Sequence, residues 1–546
     1  MNRVLQFLPV ALLMVPSGVR AAAGVEASGL PVFVDVTREA GISFKHSFGD
    51  FSLTNIVEGT GSGACFFDYD NDGFLDIYFV NGAWDRSVND NRGRRLRGQL
   101  VNKLYRNNGD GTFTDRTEAA GVGDTSPGFG CSAADYNNSG WVDLYVLNYG
   151  ANVLYRNNGN GTFTDVSKES GLDDSRWSLS APWFDYNNDG LLDVYVANYL
   201  EYDDGRFRAY YAASGYPGPL SYNAQPDALY RNNGDGTFTD VTRETGVYLE
   251  GGRAMSATLA DLNNSGFLDI YVANDATANF YFENQGDGTF VEKGLMLGLA
   301  FGEHGQGVSS MGPFAGDLDR SGRLDVYIPD MGYSAVLMNR GDYFEDHSTQ
   351  SRVAVFCGQY TGWGGLLFDY DNDGYLDLFV SNGDPHFEFT EEDVLLRNNG
   401  GGTFSNVSEQ SGEYFNTKRV GRGSTFADFD NDGDLDLLII NLNDDAVLLR
   451  NDGGNRNNWL KVVPKLPNPK RDAIGARVKV TVNSMIQVED MIPVRGYLSQ
   501  IDPRLHFGLG QATRADLVEI RWPGGETQRI ENVPANQILE VVKNVD

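Results

Sequence analysis

Short apolar runs alternate along most of the chain with polar clusters rich in Gly, Asn and Asp. Ala64-Cys65-Phe66-Phe67 and the run at 75–80 flank one such cluster, and both read as strands. Next comes Leu104-Tyr105-Arg106-Asn107-Asn108-Gly109-Asp110-Gly111-Thr112-Phe113, a hairpin signal between apolar runs. A short strand follows it, as in Phe113-Thr114-Asp115. The hairpin element recurs at 154–163, 229–238 and 395–404, with a looser copy at 282–290; at 339–343 the usual hairpin is missing. Each unit offers four strands, which is one propeller blade. The last unit stops after Leu448-Leu449-Arg450-Asn451, and its missing strand stands at the other end of the chain as Phe33-Val34-Asp35-Val36-Thr37. Pairing of 33–37 with the last unit would close the ring and remove exposed edges. The pattern predicts an all-β chain, a seven-bladed β-propeller.

The polar cluster between the first two strands of each unit is itself a repeat, D-x-[DN]-x-[DS]-G-x-x-D. Its seven copies begin at Asp68, Asp135, Asp185, Asp261, Asp317, Asp369 and Asp428, at spacings of 67, 50, 76, 56, 52 and 59 residues. A period near 50 with insertions is what blades give. Oxygen side chains at positions one, three and five converge when Gly permits a sharp turn at six. A carbonyl at seven and a carboxylate at nine complete a hard-oxygen shell of the kind Ca²⁺ takes. The expected ligands are Asp68, Asp70, Asp72 and Asp76; Asp135, Asn137, Ser139 and Asp143; Asp185, Asn187, Asp189 and Asp193; Asp261, Asn263, Ser265 and Asp269; Asp317, Asp319, Ser321 and Asp325; Asp369, Asp371, Asp373 and Asp377; and Asp428, Asp430, Asp432 and Asp436. Up to seven Ca²⁺ ions are expected. The four-carboxylate loops at 68, 369 and 428 should bind tightest, and the two-carboxylate loops at 135 and 261 weakest. Polar turns alone would also use Asp, Asn and Gly, but seven copies with Asp at both ends go beyond turn chemistry.

Composition fits this picture. The formal net charge of the 546 residues is −32. Residues 459–546 carry 12 Lys+Arg against 10 Asp+Glu, so the acidity lies wholly upstream, much of it at the loop positions. Such a balance argues against nucleic acid or an anionic membrane as partner. Arg3, the apolar run at 4–15 and Ala21-Ala22-Ala23 read as a secretory signal over 1–23, and no segment is long enough to span a bilayer. A secreted, extracellular or periplasmic location follows. Cys65, Cys131 and Cys357 fit no metal spacing and read as buried small apolar residues; one disulfide is possible, its pairing open.

The repeats resemble FG-GAP, or VCBS, repeats, the units of the integrin α-chain propeller. Ile474-Gly475-Ala476-Arg477, Gly496-Tyr497-Leu498-Ser499-Gln500, Leu505-His506-Phe507-Gly508-Leu509-Gly510 and Arg521-Trp522-Pro523-Gly524-Gly525 are similar to the ASPIC/UnbV domain. Together they resemble the cartilage acidic protein family and its bacterial relatives. The resemblance implies an extracellular calcium-binding protein and supplies no established reaction. The expected organisation is a propeller over 24–455 and an ASPIC/UnbV domain over 456–546. Strands at 459–463, 478–482, 517–521 and 538–542 make the latter a small β-sandwich-like domain. His506 and Trp522 read as core and turn residues.

With the acidic loops on one face, the loops joining strands two and three fall on the other, and these carry the insertions. One holds Trp84, Arg94 and Arg95; the other holds Tyr202, Tyr210, Tyr211 and Tyr216. Variable loops on a rigid scaffold are where binding concentrates, so these residues form the expected ligand face for an extracellular glycan or protein partner. The competing reading is a polysaccharide lyase or hydrolase on the same scaffold. No zinc helix, phosphate loop or nucleophile elbow supports it, and among five histidines only His304 and His386 are placed to face a central channel. Binding or adhesion is therefore the expected role, with no catalytic residues assigned.

Overall fold

The computed structural model describes residues 29–48, 53–88, 96–203, 216–386 and 389–544. The expected signal segment, Arg94, Arg95, Tyr210 and Tyr211 lie outside them.

The described residues form seven antiparallel sheets that follow one another around a ring. The first runs Ala64–Phe67, Asp76–Phe79, Lys103–Asn107 and Phe113–Asp115, each strand pairing with the next. Inner strands such as Gly128–Ala134 are buried at every residue because neighbouring blades cover both faces, so they lack the alternation of a half-exposed strand. Outer strands such as Phe163–Asp165 are short, with one buried ring and two exposed polar residues, which blunts the edge. The unit without the usual hairpin signal still makes a blade: Ala335–Asn339 pairs with Phe344–Asp346, and Gly341 takes φ 93° in the tight link between them.

The last blade takes its outer strand from the start of the chain. Val32–Asp35 pairs antiparallel with Val447–Asp452 in the register Val32 to Asp452 and Asp35 to Leu449. Side chains close the ring a second time. The first Asn of each third-strand Arg-Asn or its equivalent donates Nδ2 to a carbonyl in the preceding blade's acidic loop. The donors and acceptors are Asn107 to Phe429, Asn157 to Tyr69, Asn232 to Tyr136, Asn284 to Tyr186, Asn339 to Leu262, Asn398 to Leu318 and Asn451 to Tyr370, at 2.7–3.1 Å. The step from Asn107 to Phe429 joins the first blade to the seventh. Each amide is buried, so losing it strands two carbonyls.

Cys65 and Cys131, on adjacent inner strands, form a disulfide between the first two blades, whereas Cys357 is a buried free thiol. The expectation of three buried small apolar residues is thus corrected for one pair. The two cysteines stand 66 residues apart in sequence and become neighbours only when the blades stack.

Beyond the ring, two four-stranded sheets face each other. One contains Asn458–Leu466, Arg471–Asp472, Leu505–Gly510 and Gln537–Val542; the other contains Arg477–Val482, Met485–Asp490, Arg514–Arg521 and Thr527–Pro534. Their own core includes Val478, Val480, Phe507, Val518 and Trp522. Between the sheets the chain makes an excursion into the ring. Gln500 forms a parallel bridge with Cys65, takes the Ala64 carbonyl at 3.0 Å, and places its Oε1 2.7 Å from the Ala133 amide. The Gly496 carbonyl accepts from Ser256, and the Tyr497 hydroxyl donates to the Thr60 carbonyl at 2.9 Å. A Cβ at Gly63 or Gly312 would strike the backbone of Leu498 or Tyr497, so glycine is what lets the segment through. The 495–500 stretch therefore fills the centre of the propeller.

Candidate cation loops and the opposite face

All seven nine-residue turns share one frame. The Asp at position one accepts from the amides of positions five and six, with fourteen bonds between 2.7 and 3.1 Å. Position four is left-handed in every copy: Asn71, Asn138, Asn188, Asn264, Arg320, Asn372 and Asn431 have φ of 54–60°. Asn tolerates that region better than most residues, and six Asn in a row of seven is a signal visible in the sequence that the repeat consensus passed over. Position nine is buried throughout. One oxygen of Asp76 accepts from the Asn107 amide at 2.8 Å and the other from the Tyr69 amide at 3.0 Å, and Asp193, Asp269, Asp325, Asp377 and Asp436 repeat the pair. This residue staples strand three to the turn, a role beyond that of a ligand.

In four loops the carboxylates converge. Ligand oxygens of Asp68, Asp70 and Asp76, of Asp317, Asp319 and Asp325, of Asp369, Asp371 and Asp377, and of Asp428, Asp430 and Asp436 lie within 4.8 Å of one another. The loops at 135, 185 and 261 have Asn137, Asn187 and Asn263 at position three, whose amide oxygen is a neutral donor. Electrostatics fits a cation. Burial pushes Asp76, Asp193, Asp269 and Asp325 up to about 8. Asp369 and Asp377 are raised by burial and then by neighbouring carboxylates. A divalent ion reverses that tendency, because it stabilises the ionised forms that burial disfavours. An all-oxygen set of this density suits a hard cation.

Cations of the chain supply part of the balance. Arg106 reaches Asp70 and Asp72 at 2.5 Å each, and Arg397 reaches Asp371 and Asp373 at 2.6 Å each. The two C-terminal sheets supply more. Lys461, fully buried, lies 2.6 Å from Asp428 and 3.6 Å from Asp502. Arg504 binds Asp502 and donates to the Asp428 carbonyl at 2.7 Å. Arg521 reaches Asp261 at 2.6 Å, and Arg477 donates to the Asp261 carbonyl at 2.9 Å. His506, stacked on Trp459, meets Asn372 at 2.5 Å. The Trp459 ring fills the space beside Gly433, where a Cβ would clash. The C-terminal sheets thus sit on the loops of blades four, six and seven. A cavity of about 310 Å³ remains between them and the loops at 68 and 135.

The other end of the ring is built differently. Trp84 and Tyr216 are buried and Tyr202 is partly buried, so these three are not the exposed platforms that the insertions imply. Tyr216 carries enough apolar surface to be drawn into the ring's mouth instead of standing in water. Tyr216 donates to the Pro385 carbonyl and packs against His386 with ring centroids 4.9 Å apart. Together with Tyr199, Met255, Asp275 and Trp363 they line a cavity of about 70 Å³. Behind Trp363 lies Arg422, fully buried, 4.0 Å from the ring and donating to carbonyls, among them those of Gly59 and Asp384. His304 is exposed and apart from this cavity. Asp275 was not singled out in the sequence; it gave no signal there, being one Asp among many.

The FG-GAP-like repeat model matches residues 68–146, 135–196, 210–272, 261–328, 317–380 and 369–439, and the model described as ASPIC and UnbV matches 466–545. Cartilage acidic protein 1 of Homo sapiens is 29% identical over 361 residues, covering 62% of this chain and 52% of that protein. The Mus musculus protein is also 29% identical, covering 62% and 53%, and that of Xenopus tropicalis is 26% identical over 366 residues, with the same coverage of 62% and 53%. The chain thus spans about half the length of these curated relatives. A solved Agrocybe aegerita lectin structure, titled for recognition of non-reducing terminal N-acetylglucosamine, aligns at TM-score 0.36 and 18% identity over 70% of this chain and 84% of that one.

Proposed function

Because the chain belongs to the family of FG-GAP-like repeat proteins with a C-terminal ASPIC and UnbV domain, we propose that it is an exported, calcium-loaded binding module. Its partner is a glycan or a protein, engaged by the face opposite the acidic loops. One observation carries this reading. The C-terminal sheets cover the acidic loops of three blades, and the 495–500 segment fills the channel. That leaves the insertion-bearing mouth as a concave surface that the C-terminal sheets do not cover. Calcium would be held by the loop carboxylates and would stiffen the turns on which the C-terminal sheets rest. The cysteine pair supports export, since disulfides persist in oxidising compartments. Among the described residues no helix is long and apolar enough to cross a membrane.

The test is binding of the mature protein, in millimolar calcium, to an array of acidic and neutral polysaccharides and to extracellular proteins. Wild-type binding that is lost in Tyr216→Ala, with thermal stability kept, supports the reading. Binding that survives Tyr216→Ala but fails in a variant of the acidic-loop face would overturn it.

A further inference from the structure

The cavity at the ring's mouth has an unusual balance of groups. Its walls are mostly apolar: Ile56, Met255, Met311, Met331 and Trp363. Three of its hydroxyl donors are already used, while the His386 ring also lines it. The Tyr199 hydroxyl donates to Asp275 Oδ2 at 2.6 Å, the Thr60 hydroxyl to the Ile56 carbonyl at 2.8 Å, and Tyr216 to the Pro385 carbonyl. What is left over is acceptor capacity and negative charge. Asp275 is 8% exposed, lines the cavity, and makes no ion pair with a Lys or Arg among the described residues, although Arg253 and the His386 ring act on it through their charge. Asp330, close enough to act on Asp275 through its charge, keeps one buried carboxylate oxygen with no partner. A buried carboxylate without a cation is costly, and an incoming cation recovers that cost.

Resting on the reading above, we propose that this cavity receives an aliphatic ammonium group, a protonated or quaternary amine on a short apolar stem. Asp275 is its counter-charge, and the aromatic and methionine walls receive its methyl or methylene groups. Cations of this kind are held by ring faces and a nearby carboxylate. Size agrees: about 70 Å³ is the volume of about two waters at liquid density, enough for a small head group and too little for an oligosaccharide.

The probes are tetramethylammonium, n-propylammonium and the neutral, similarly shaped tert-butanol. Each is titrated calorimetrically into the full mature protein in millimolar calcium, with tryptophan fluorescence as a second signal. The proposal expects either cation to bind at least about tenfold more tightly than tert-butanol. The stronger of the two cations tells a quaternary from a protonated source. Asp275→Asn should remove the preference. Met331 is half exposed at the rim, so Met331→Lys should fold normally and compete from within, abolishing probe binding at unchanged thermal stability. Equal binding of tert-butanol and the cations, or no binding of either cation to wild type, overturns the proposal. If the array ligand still binds and still needs Tyr216, only the ammonium inference falls; if no partner binds but the cations do, only the wider reading falls.

Discussion

The acidic loops of blades seven and four have the same backbone and opposite electrostatics. In both, the position-one carboxylate accepts from the position-five and position-six amides at 2.8–3.0 Å. Blade seven then carries Asp430, Asp432 and Asp436, with Asp434 beside them, and burial helped by neighbouring carboxylates pushes Asp430 up to about 6 and Asp434 to about 8. Blade four has neutral Asn263 and Ser265 at the equivalent positions, and two arginines of the C-terminal sheets lie against Asp261. The turn is thus made by the peptide groups, whatever its charge. The carboxylate count decides only what must neutralise it: the chain's own guanidinium groups lie against the loop in blade four, whereas the carboxylates of blade seven outnumber the one lysine against them and could hold an ion.

The comparison predicts a series of effects. Removing calcium with a chelator should be the largest, since each site filled at a hundredfold excess over its Kd contributes about 2.7 kcal/mol. Calorimetric scanning should show the midpoint falling by more than about 10 °C, and an unchanged midpoint would sink the calcium assignment. Next, Lys461→Met leaves Asp428 and Asp502 buried without that cation and should cost about 3–5 kcal/mol, read from denaturant unfolding. Asn107→Ala cuts the tether between blades one and seven and should cost about 1–3 kcal/mol, as should the equivalent change at any other blade. Arg521→Met, at a partly exposed pair, should cost about 1 kcal/mol or less. If Arg521→Met proved as damaging as Lys461→Met, the contrast between the two loops would be wrong. A calcium titration of Asp430→Asn against Asn263→Asp sharpens it further: the first should lose affinity in blade seven, and the second should gain it in blade four.

Much of this was legible in the residues. The nine-residue repeat fixes turn, period and charge together, and the orphan strand at 33–37 announced the closure seen as Val32–Asp35 against Val447–Asp452. The four C-terminal strands stood out because their apolar residues alternate or cluster in the ordinary way. What the residues concealed depends on neighbours far away in sequence. Gly496-Tyr497-Leu498-Ser499-Gln500 looks like a loop because its hydrogen-bond partners lie on the inner strands of several blades and on the short helix Ile56–Thr60. The first Asn of Arg-Asn-Asn-Gly looks like hairpin chemistry, yet its amide serves the blade before it. Trp84 and Tyr216 looked like exposed platforms because a single sequence does not show which residues of an insertion are buried against the rest of the chain.

The threaded segment also sets the order in which the molecule can be completed. The Tyr497 hydroxyl meets a carbonyl 437 residues away, and Thr37 meets Leu448 across 411. Early blades can stack as they emerge, but the ring gains its closing strand only after residue 452, and its centre stays empty until residue 500 has been made. Contacts this distant in sequence are the slow ones in folding. A chain that stops between residues 452 and 495 would therefore have its closing strand but not the segment that fills the ring.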